Sequence, residues 1–190
     1  AVYTSSTWID DVSSPDQSAE QVICAITEPR PGSLALVAID MPTSTITYDN
    51  WEDGLTRDAL RTRLAHLAPR ELVFSPASIN GVTRHHIQLY KMETAFLVRL
   101  ESCDKVCPLD ALLQGNALAW ILSELSYSVQ DALAMLCTHL RTYNMTSAFQ
   151  HVDNYASFTS RSCMLLSSVT MEHLEPVSYT HLTLPTIYSV

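Results

Sequence analysis

A chain of 190 residues with 47% hydrophobic and 16% charged residues is long enough to bury a core and too apolar to be disordered. Its net charge of −9 is concentrated in residues 1–60, where ten Asp and Glu face only Arg30 and Arg57, so this stretch is excluded as a main contact for a phosphate backbone. The longest apolar run, near Ala117–Leu122, falls far short of the ~20 residues that span a bilayer, and no membrane partner is expected.

Along the chain, Ser13 to Ser18 is a polar linker, and Gln21–Thr27 reads as a first strand closed by the turn Pro29-Arg30-Pro31-Gly32. Leu34–Ile39 is an unbroken apolar run, the pattern of a strand buried on both faces. Pro42 to Ser44 interrupts it, and Thr45-Ile46-Thr47-Tyr48 alternates as a half-exposed hairpin partner would. Thr56 is placed to cap a helix carrying Leu60, Leu64 and Leu67, which Pro69 ends before the strand Glu71–Phe74. Pro76 to Lys91 reads as a second helix with Ile79, Val82, His86 and Leu89 on one face, and Ala95–Leu100 as a fifth strand. Three strands, helix, strand, helix, strand is the order of an RNase H-like mixed sheet. From Leu109 the texture turns helical: Leu109–Leu125 is apolar on most faces, and Ser128 to Asp131 looks like a capping box before Ala132, Leu133, Leu136 and Leu140.

Several of these segments resemble the MutS family of DNA mismatch-repair proteins. The run Leu36 to Pro42, the Asp49-x-x-x-Asp53 pair around Trp51, Arg57 to Leu60 with Thr62-Arg63, and Pro69 to Val73 follow the wording and order of that family's connector domain. The family's hairpin carries Thr-Gly where this chain has Thr43-Ser44 or Ser44-Thr45, so the glycine turn is expected to be remodelled. Val2–Thr7 is similar to the end of the mismatch-binding domain, and Phe158 to Glu175 to a stretch of the lever region. Within the family, the eukaryotic insertion/deletion-loop-recognising branch (MutS-beta type) fits best.

The resemblance implies an α/β, RNase H-like connector domain followed by an α-helical partial lever domain. It divides the chain into the end of a mismatch-binding domain and linker at 1–18, the connector at 19–102, and the start of the lever at 106–176. Lever helices would then lack most of their partners and expose apolar surface. Segments such as Ser13–Ser18 and Asp104–Pro108 would act as hinges. Residues 177–190 depart from the family and look like a translated sequencing adapter, so they are expected to be non-native. Ala1 in place of Met, with opening residues of mid-protein character, reads as an internal fragment. For the intact family protein the resemblance implies ATP and Mg, mismatched or looped duplex DNA, a second MutS-type subunit, a MutL-type partner and the nucleus.

Candidate chemistry is sparse. Glu28, Asp40, Asp49 and Asp53 are the acids that a two-metal nuclease on such a sheet would need, since paired Mg²⁺ ions require several carboxylate oxygens. Cys103 and Cys107 with His85 and His86 form a loose zinc pattern without a second pair, and read as free thiols and helix-surface histidines. Cys24, Cys137 and Cys163 complete an odd, scattered set typical of reduced thiols in a cytosolic or nuclear protein. Around Ser160 no glycine elbow supports acyl transfer, and no G-x-x-x-x-G-K-[ST] loop supports ATP binding. We therefore expect no catalytic, cofactor-binding or metal residue in this segment and assign no DNA contact. An RNase H-like nuclease and a free-standing α/β interaction module are the competing readings.

Overall fold

The computed structural model describes residues 21–94, 99–103, 106–161, 166–167 and 170. Its strands are β1 (Val22–Arg30), β2 (Ser33–Asp40), β3 (Thr45–Glu52), β4 (Glu71–Phe74), β5 (Arg99–Ser102) and β6 (Tyr155–Ser157). Its helices are α1 (Asp58–Leu67), α2 (Gly81–Glu93), α3 (Leu109–Leu112), α4 (Gly115–Glu124), α5 (Tyr127–Arg141) and the single turn α6 (Phe158–Arg161), with two short 3-10 turns between α5 and β6. The expected sequence of five strands and two helices is present. The segments proposed for 1–18 and 177–190 lie outside the described residues.

One mixed sheet orders the strands β5-β4-β1-β2-β3-β6. β1, β2 and β3 are antiparallel neighbours, while β4 runs parallel to β1, β5 parallel to β4, and β6 parallel to β3. Alternation along β1 and β2 explains their unbroken apolar runs. Val22, Cys24, Ile26, Leu34, Leu36 and Ala38 face one core with Leu60, Leu64 and Leu67 of α1 and Ile87 of α2. Ala25, Ala35, Val37 and Ile39 face the other, with Ile121 of α4, Leu133, Leu136 and Cys137 of α5, and Phe149. Each fully buried Leu or Ile contributes about 1.5–3 kcal/mol, so neither face is dispensable.

The structure moves several boundaries. β1 runs on to Arg30, leaving only Pro31 and Gly32 as the turn. The second helix starts at Gly81, not Pro76, because Asn80 is extended and its side chain accepts from the Val82 N–H. Its buried positions are Thr83 and Ile87, so the Val82–His86–Leu89 stripe is displaced toward the rim. The long helical run breaks at Leu113 and Gln114 into α3 and α4. α5 begins at Tyr127 after Ser126, two residues before the expected cap at Ser128. The fifth strand is described over Arg99–Ser102, and 95–98 lie outside the described residues.

The largest correction concerns residues from 106 onward. They were expected to start a separate lever with exposed apolar faces. Instead α5 lies across β1 and β2, β6 extends the sheet beside β3, and the described residues to 158 share its two cores. The physical reason is simple. α5 is apolar over most of its circumference because the sheet covers one side and α3 and α4 cover another, so it has its partners within the chain.

In the hairpin turn Ser44 takes φ 58, a left-handed conformation that a glycine adopts at no steric cost. Ser44→Gly should therefore raise stability by about 0.5 kcal/mol, the relief of left-handed strain less glycine's entropic cost. A urea titration showing a loss instead would mean that Thr43 and Thr45, whose hydroxyls bond at 2.9 Å, set this turn through Ser44's own side chain.

Candidate functional site

The residues that carry the family motif converge where the hairpin β2–β3 meets α1. Arg57 is 2% exposed and holds φ 50, the left-handed region, at the position just before α1. Its Nη2 donates to Glu28 Oε1 at 2.8 Å and its Nε to Thr83 Oγ1 at 2.9 Å. Its Nη1 donates to the carbonyls of Asp53 at 3.0 Å and Gly54 at 2.6 Å. A single buried guanidinium thus fastens β1, the 53–57 loop and α2 to one another. The strain of its backbone is tolerated because those contacts over-determine it.

Glu28 answers from the end of β1 with its side chain 1% exposed. Its Oε1 also accepts from the Gly32 N–H at 2.9 Å and its Oε2 from the Asn80 N–H at 2.8 Å. Burial pushes its pKa up, but the Gly32 N–H, the Thr83 hydroxyl, the Asn80 N–H and the Arg57 charge together hold it below its ordinary value. Gly32 is required here. At φ 89 its amide reaches Glu28, its carbonyl accepts from Asp53 N at 2.7 Å, and an added Cβ would meet the Asp53 oxygen at 3.0 Å.

A second clasp lies alongside. Arg63 Nη2 approaches Asp49 Oδ2 at 2.7 Å while its guanidinium carbon sits 4.0 Å from the Trp51 ring centroid, with Phe158 on another side at 5.4 Å. Such a desolvated cation–π contact adds roughly 1–2 kcal/mol to the ion pair. Asp53, not Thr56, caps α1. Its carboxylate accepts from the Leu60 N–H at 2.8 Å and from Trp51 Nε1 at 3.2 Å, whereas the Thr56 hydroxyl turns to Asp58. The D-x-ϕ-x-D and R-x-x-L-x-T-R spacings are therefore two halves of one fastening.

The four acids considered for a nuclease are not brought together. Glu28 is committed to Arg57, Asp49 to Arg63 and Asp53 to the α1 amides, while Asp40 at the end of β2 accepts from Thr43. Glu28 stands near a strand end, where an acid is ordinarily solvated, and is instead buried. Among the described residues no group of three or more His, Cys, Asp or Glu is arranged to hold a metal. His85 and His86 stack edge to face on α2, and Cys103 follows β5. Cys24 and Cys137 sit in opposite cores, where burial drives both thiols far above the range in which they ionise. Of the described residues, no helix is long and apolar enough to cross a membrane.

Sequence reasoning missed Arg57 as the centre of the arrangement and the burial of Glu28 opposite it. Composition counts both as surface charges, and only the motif spacing hinted that Arg57 has a fixed place.

No family model matches the chain. It is 27% identical to the DNA mismatch repair protein MSH3 of Mycosarcoma maydis, over 92% of this chain and 20% of that protein. It is 28% identical to msh3 of Botryotinia fuckeliana (92% and 19%) and 27% identical to MSH3 of Lodderomyces elongisporus (92% and 21%). The chain thus spans about one fifth of the length of the curated relatives it matches. Among solved structures it aligns loosely with the Holliday junction resolvase of fowlpox virus, at TM-score 0.38 and 10% identity, over 64% of this chain and 99% of that one, too distant to carry an argument. Similarity to MSH3 proteins of DNA mismatch repair thus runs along nearly all of this chain, the motif residues of the clasp included, and supports a segment of the MutS family of the MSH3 type.

Proposed function

We propose that residues 21–161 are the connector of such a protein, an RNase H-like unit joining DNA reading to ATP-driven rearrangement. The observation that carries this reading is the Glu28–Arg57 and Asp49–Arg63 pair of clasps. They place two ion pairs, one fully buried and one nearly so, beside a two-faced core, where they stiffen a body against bending and create no reactive centre. A part that transmits motion needs to move as a unit, with any change of angle confined to its flanks. In the whole protein, recognition of mispaired or looped duplex DNA, ATP with Mg, a second MutS-type subunit, a MutL-type partner and action in the nucleus follow as proposals from the family.

The test is a chimera. In an MSH3 relative, the segment matching residues 21–161 is exchanged for this one, and repair of a looped-out duplex is measured. Retained repair is expected. A chimera that is folded and abundant yet fails to repair would sink the connector assignment.

A further inference from the structure

α4, α5 and the segment from Val106 to Asp110 enclose an open groove of about 550 Å³. At Val106 and Asp131 it meets a second hollow, of about 250 Å³, beside the carboxyl end of β1. The groove is built rather than slack. Gln130 Nε2 donates to the Leu125 carbonyl at 2.7 Å, tying α4 to α5, and the Cys107 N–H donates to Thr138 Oγ1 at 3.0 Å, tying the Val106 segment to α5. A preformed site of this kind loses little entropy on binding.

Two features of its lining point to an occupant. Two of the exposed large hydrophobic side chains line it, Val106 at 43% and Leu122 at 55%. Charge is one-sided as well. Residues 106–160 contain Asp110, Glu124, Asp131 and Asp153 against the single cation Arg141. Asp110 and Asp131 line the groove and have no ion pair among the described residues. Partial burial against the groove wall raises the Asp131 pKa, as expected for a carboxylate lacking a cation.

We propose that this groove docks a basic amphipathic helix of a partner protein, its apolar side chains against Val106, Leu118 and Leu122 and its Lys or Arg side chains over Asp110 and Asp131. Two flanking helices with an apolar floor form the usual seat for such a segment, and the acidic rim selects its charge. The inference stands on the groove alone and does not depend on the connector reading.

The probe is a fluorescein-labelled synthetic helix of leucine and lysine, titrated with the full chain and followed by anisotropy at low salt. A second helix carries glutamate for lysine. Leu122→Ser and Asp131→Lys change exposed residues and should leave the melting temperature unchanged. We expect the leucine–lysine helix to bind, the glutamate helix to bind at least about tenfold more weakly, and each substitution to cost the lysine helix about tenfold. Asp131→Lys should also strengthen binding of the glutamate helix, an effect that a merely sticky surface would not give. Absence of binding, equal binding of both helices, or indifference to both substitutions would each overturn the proposal. So would sedimentation showing that the chain self-associates through this face and that Leu122→Ser abolishes it, since the groove would then belong to a second copy.

Discussion

Arg57→Ala should destabilise the protein by about 3–5 kcal/mol, because it strands the Glu28 carboxylate in a site that is closed to water. In a domain of this size, each kcal/mol shifts the melting temperature by roughly 2–4 °C, so a fall of about ten degrees is expected in a thermal melt. The double change Glu28→Gln with Arg57→Met removes both charges and should recover much of that loss, since neutral groups of similar volume replace a buried pair at small cost. A loss below about 1 kcal/mol for Arg57→Ala would mean that water reaches Glu28 and that the clasp is a surface contact. The pH dependence has a defined sign. Glu28 has a folded-state pKa below its ordinary 4.5, so its contribution is complete above that value and disappears as the pH falls through the folded pKa. Acid titration of Arg57→Ala should show that step diminished, because the Arg57 charge is one of the causes of the lowering.

The second large effect concerns the extent of the folding unit. A chain cut after residue 102 would keep the face packed by α1 and α2 but bare the other, exposing Ala25, Val37, Ile39 and Val73. Such a piece should fail to melt cooperatively and should bind a hydrophobic dye, whereas residues 21–161 should melt in one transition. If the shorter piece unfolds cooperatively within a few degrees of the longer one, α3, α4 and α5 are an appendage and the original division at 102 to 106 stands. A single change, Leu133→Ala, should already cost about 2–5 kcal/mol, since its side chain is fully buried among sheet and helix residues.

Local pattern made much of this fold readable. Pro69 ends one helix and the short apolar run after it marks the strand Glu71–Phe74, and the Leu60, Leu64 and Leu67 stripe does face the core. What could not be read were facts decided at a distance. A helix that is apolar over most of its circumference, such as α5, says that it will be buried and not against what. The strand Tyr155–Ser157 has three residues and no alternation, and only pairing with Ile46–Tyr48 makes it a strand. Thr56 is the better-placed cap by spacing, yet Asp53 takes the role because Trp51 and the α1 amides converge on it. The candidate site was hardest of all, because a buried arginine looks like any other until its partners from β1 and α2 are in place.

That short last strand has a mechanical consequence. Two antiparallel steps lie between β1 and β3, and β6 then runs parallel to β3, so β1 and β6 point the same way. Tension drawing the chain backward at Val22 and forward beyond Ser157 therefore acts along the strands, not across them. The ladders between those strands are loaded in shear, with their hydrogen bonds sharing the force, whereas a pull across the sheet would peel them one at a time. The sheet is in this sense a tie-rod, stiff along the line on which its own chain would pull it.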